Sequence, residues 1–116
     1  MLEKFKARCE YWLRFFGIEK EWVVYYSGQK LDRYAETAYW IDSKVATITL
    51  NTSEALSDEA LDRVAFHEVA HLVLADVMAL AKDRNYDKET ADKEEHKLIN
   101  RLEHVLLGKM KEWKLD

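Results

Sequence analysis

An α+β fold in a single domain over residues 1–116 is the expectation for this chain, and three observations carry it. Apolar residues recur at helical spacing near both ends. Aromatic and β-branched runs with an alternating pattern fill the stretch from Trp22 to Leu50. The run from Asp58 to Lys82 is rich in apolar residues and holds neither Gly nor Pro. The expected order is an N-terminal helix, a small and mostly antiparallel three-stranded sheet, a buried helix and a C-terminal helix. A length of 116 residues suits one modest core and is short for two.

Leu2, Phe5, Cys9, Trp12, Leu13 and Phe16 share helical spacing, with Lys4, Arg8, Glu10 and Arg14 between them. Gly17 stands where a C-terminal cap belongs. Trp12 and the Phe15-Phe16 pair cannot all turn inward, so exposed aromatic surface is expected here, suited to a homo-oligomer contact. From Glu21 the period changes. Trp22-Val23-Val24-Tyr25-Tyr26 reads as a strand closed by Ser27-Gly28, Tyr34 to Ile41 as a second and Val45 to Leu50 as a third. Asp42-Ser43-Lys44 is short enough to make the last two an antiparallel hairpin. Ala46, Ile48 and Leu50 share the expected core face, opposite Val45, Thr47 and Thr49. The third strand is also a candidate sheet edge on which an extended peptide would add main-chain hydrogen bonds.

Ser57, followed by Asp58 and Glu59, is a helix start: a hydroxyl cap with two acids in the first turn. The helix it opens is expected to continue to about Lys82, apolar nearly all round and therefore buried. Within it, Phe66-His67-Glu68-Val69-Ala70-His71-Leu72 sets two imidazoles one helical turn apart on one face. At about 100° per residue, Val64, Ala70, His71, Leu74 and Met78 all project within about 60° of His67, so both rings face inward. Two imidazoles so placed can hold one metal ion, and Glu68 beside them can reach a water on that ion without being a ligand. That is the mechanical content of the H-E-x-x-H pattern.

Lys82 to Asp87 is polar and reads as a loop; Tyr86 within it suits packing or, near a metal, donation to an oxyanion. The last helix is expected to begin near Asp87 or Thr90 with Leu98, Ile99, Leu102, Val105, Leu106, Met110 and Trp113 as its apolar stripe. A catalytic zinc site uses three protein ligands and an open position, and Glu94, Glu95, His96, Glu103 and His104 are the downstream candidates. With Glu95 at 0°, the stripe spans about −80° to +60°, so Glu95 sits mid-stripe, while His96 lies near +100°. Glu95 is the expected third ligand and His96 the next choice.

The net charge of −4 and the absence of a basic block argue against direct nucleic-acid binding. No stretch approaches about 18 consecutive apolar residues, so no membrane span is expected. The charged start, Met1 to Lys6, lacks a signal-peptide core, and the lone Cys9 excludes an internal disulfide; both fit a cytoplasmic location.

The three strands, His67-Glu68-Val69-Ala70-His71, and then Glu94-Glu95-His96-Lys97-Leu98-Ile99-Asn100-Arg101-Leu102 together resemble a small gluzincin-type, zincin-like metallopeptidase domain. They are similar to the phage-encoded and ImmA/IrrE-like proteins of that clan. The resemblance covers most of the chain in architecture but rests on few motif residues. It implies Zn2+ as cofactor, His67, His71 and Glu95 as metal ligands, Glu68 as general base, and a peptide or protein substrate. Glu95 lies 24 residues after His71, farther than in large secreted gluzincins, and His96 beside it leaves room for a three-histidine site of the SprT-like kind. The competing expectations are a non-catalytic zinc-binding structural or regulatory module on the same fold, and a metal-free helical scaffold.

Overall fold

The first apolar period forms helix α1 (Leu2–Phe15), which buries Phe5, Cys9, Trp12 and Leu13. The structure is a computed structural model; it describes the backbone of residues 1–84 and 87–115 and the side chains of residues 1–84 and 87–107. Gly17 ends α1 at φ 72°, a left-handed conformation that costs glycine nothing sterically. Gly17 N–H donates to the Arg14 carbonyl and Ile18 N–H to that of Leu13, the paired bonds of a Schellman cap. Trp12 is buried while Phe15 is 55% exposed, so the aromatic cluster of this helix is divided between core and surface.

Three strands follow, β1 (Val23–Gln29), β2 (Ala35–Trp40) and β3 (Val45–Asn51), ordered β1-β3-β2. The hairpin between β2 and β3 is antiparallel as expected, and Lys44 turns it at φ 56°. The sheet is nonetheless mixed rather than mostly antiparallel, because β1 pairs with β3 in parallel. β3 is therefore the central strand, not an edge. Ala46, Ile48 and Leu50 are each 0% exposed, and a strand with so apolar a face is best satisfied between two neighbours. Strands consecutive in sequence often, but not always, pair, and alternation alone does not specify that order. The ladders set Val24 and Tyr26 of β1, and Ala35, Thr37 and Tyr39 of β2, on the same face as the β3 core residues.

Helix α2 (Asp58–Val73) opens with Ser57 Oγ accepting from the Ala60 N–H at 3.1 Å. It packs on α1 through Phe66, whose ring centroid lies 5.1 Å from that of Trp12. Asp62 fastens the two helices: one carboxylate oxygen accepts from Arg8 Nε at 2.7 Å and Trp12 Nε1 at 2.9 Å. Asp62→Ala leaves a buried indole N–H without that acceptor. It is expected to cost about 1–3 kcal/mol, read as a lower denaturant midpoint at unchanged slope.

The single helix expected to reach about Lys82 is two helices. Leu74, at φ −92° and ψ 0°, leaves helical geometry between α2 and α3 (Ala75–Asp83). No Gly or Pro marks the place. The break resets the helical phase, so that α3 buries Ala75 and Met78 and leaves Val77 and Leu80 each 62% exposed, contrary to an all-round buried helix. Asp87 caps the last helix, α4 (Lys88–Leu115), by accepting from Thr90 N–H and Oγ1. Its buried residues are Ala91, Glu95, Ile99 and Leu107, whereas Leu98 and Val105 of the expected stripe are exposed. The buried face is thus centred on the 91–95–99 row, and the shift arises because Ala91 and Glu95 extend it toward the helix start. Tyr86 and the side chains of Met110 and Trp113 lie outside the described residues.

The chain forms two compact units, Met1–Val73 and Leu74–Asp116. The first holds α1, the sheet and α2; the second holds α3 and α4, which contact each other. Among the described residues no single helix is long and apolar enough to cross a membrane.

Candidate metal centre

α2 presents His67 and His71 one turn apart because both belong to an unbroken helical stretch that Phe66, Val69, Ala70 and Leu72 anchor in the core. Their ring centroids are 5.1 Å apart with planes at 72°. Both imidazoles are half-buried, neither sealed in the core nor turned out to solvent. Glu68, between them in sequence, is only 5% exposed. Thr37 of β2 donates from Oγ1 to Glu68 Oε1 at 2.8 Å. Thr37 was not among the residues the sequence singled out; its only advance signal is strand alternation, which puts its hydroxyl on the core face beside Ala35 and Tyr39.

On α4, Glu95 is 8% exposed, in line with its mid-stripe expectation, and His96 is exposed. His96 Nδ1 lies 2.8 Å from the carbonyl oxygen of Asp92. A carbonyl only accepts, so Nδ1 is the donor in this bond. A backbone carbonyl commonly orients a metal-binding histidine in this way. Of the expected ligands, His67 and His71 are brought together on α2, while Glu95 and His96 are neighbours on α4, the first buried and the second exposed. Glu94 and His104 are exposed on α4, and Glu103 is half-buried.

Cys9 is no ligand here. Burial first, and then the negative charge of Glu68, push its thiol well above the ordinary range, so it stays protonated. The Tyr26 phenol is likewise pushed upward, chiefly by burial, and its hydroxyl has no hydrogen-bond partner among the described residues. No protein-family model, curated protein or solved structure matches the chain.

The chemistry of the centre therefore has to be read from its own side chains. Two imidazoles one turn apart are suitable donors for a borderline metal such as zinc, and their neutral lone pairs leave an ion its full positive charge. Glu68 follows the first of them in sequence, and its buried carboxylate is held by Thr37.

Proposed function

We propose that the chain is a zinc-dependent peptidase of the zincin-like type, with His67, His71 and Glu95 as ligands and Glu68 as general base. The observation that carries the reading is the pair of half-buried imidazoles on one face of α2, with ring centroids 5.1 Å apart, and the buried carboxylate that follows the first of them in sequence. His96, adjacent to Glu95 and exposed, is the alternative third ligand.

A zinc ion held there would supply a bound water of pKa lowered toward about 7 and would polarise a carbonyl. Glu68 is the residue suited to hold a proton taken from water and hand it to the departing amine, one carboxylate serving as base and then as acid. Its burial keeps bulk water from levelling that exchange, and the bond from Thr37 keeps the carboxylate from swinging away. The substrate is a peptide or unfolded protein segment. The strand suited to hold it is β2, which pairs with β3 alone among the described residues and packs against α2. Its outer edge offers main-chain donors and acceptors to an extended chain.

The test measures metal content by elemental analysis together with cleavage of an unfolded protein substrate. One zinc per chain, with cleavage lost on chelation and restored by Zn2+, is the expected result. Stoichiometric zinc without cleavage makes the chain a non-catalytic zinc-binding module, and no stoichiometric metal makes it a metal-free scaffold.

A further inference from the structure

A carboxylate as buried as that of Glu68, at 5% exposure, needs hydrogen-bond donors. Thr37 supplies one at 2.8 Å to Oε1, with a longer approach of 3.4 Å to the Glu68 backbone oxygen. Thr37 stands opposite Ile48 in the β2–β3 ladder, with Ala35 and Tyr39 on the same face. A β-branched residue with an apolar body meets the packing needs of that position, and Val would meet them as well as Thr. The hydroxyl is the one feature that packing does not require, and its short bond goes to the carboxylate.

We propose that Thr37 is a positioning residue: its bond to Oε1 holds the Glu68 carboxylate in the one orientation from which it exchanges a proton with the reacting water. The inference rests on the peptidase reading and adds a residue from the sheet to the two histidines and the carboxylate of α2. It also accounts for the contact of β2 with α2, since the strand that offers its edge to the substrate is the strand that aims the base.

The experiment compares Thr37→Val and Thr37→Ser in the full chain loaded with Co2+, whose visible absorption reports its immediate surroundings. Val removes the hydroxyl at nearly constant volume; Ser keeps it and removes the methyl. Thr37→Val is expected to lower kcat by about 10–100-fold, with KM and cobalt content unchanged, and to shift the cobalt band. Thr37→Ser is expected to restore the parent values of both. A Val variant equal to the parent in kcat and spectrum overturns the proposal. A Ser variant as impaired as Val does too, because the methyl would then be what matters. If the chain binds cobalt but cleaves nothing, the peptidase reading fails alone, and a band shifted by Val and restored by Ser still upholds the positioning of the carboxylate. If cobalt is not bound, both fall.

Discussion

Glu68→Gln is expected to keep its zinc and lose at least about 100-fold in peptide hydrolysis, the lower end of what a positioned general base contributes. Gln has nearly the same shape and retains a side-chain oxygen that can accept from Thr37, so the buried position tolerates it. It cannot take a proton from water near neutral pH, and that is the one function removed. The imidazoles of His67 and His71 are untouched, so metal content measured by elemental analysis stays at the parent level. The paired measurement separates a lost base from a lost metal. Cleavage at the parent rate by Glu68→Gln would remove Glu68 from the mechanism, and loss of zinc from the same variant would make it a ligand.

The second large effect concerns the metal itself. His71→Ala is expected to weaken zinc retention by more than about 100-fold, beyond the 10–100-fold typical of losing an outer-shell partner. Removal of one imidazole from a three-ligand set leaves two protein ligands, fewer than a zinc site ordinarily uses. Glu95→Ala is expected to weaken retention by about tenfold or more, as suits the third ligand. Competition with a chromogenic chelator ranks these variants and His96→Ala on one scale. Parent-level retention by Glu95→Ala, with zinc lost from His96→Ala, would give the third position to His96.

The sheet and the motif helix divide clearly in how they could be read. The core face of β3 follows from alternation, since Ala46, Ile48 and Leu50 are fully buried on one face, although Thr49 and Asn51 of the other face are buried as well. The strand order does not follow from it. Val23 to Gln29 pair in parallel with β3 across a gap in sequence that no turn signal spans, and the choice was made by which strand most needed cover on both sides. The break at Leu74 is similar: apolar spacing continues through it, and only the buried faces on either side show that the helix had to restart. Thr37 was invisible for a different reason. A hydroxyl in a strand is unremarkable until a carboxylate 31 residues away is found against it.

The amino-acid sequence by itself determined the features governed by backbone geometry over a few residues. These are the helix that Gly17 closes, the cap at Ser57, the alternation of β3, and two imidazoles on one turn of one helix with a carboxylate next to them. Tertiary structure alone decided that β3 is central, that the helix opened at Ser57 ends at Val73, and that Thr37 meets Glu68. Local geometry repeats with a fixed period, so a short window contains it. Pairings between distant residues depend on which of many competing burials lowers the free energy most, and that sum is taken over the folded chain.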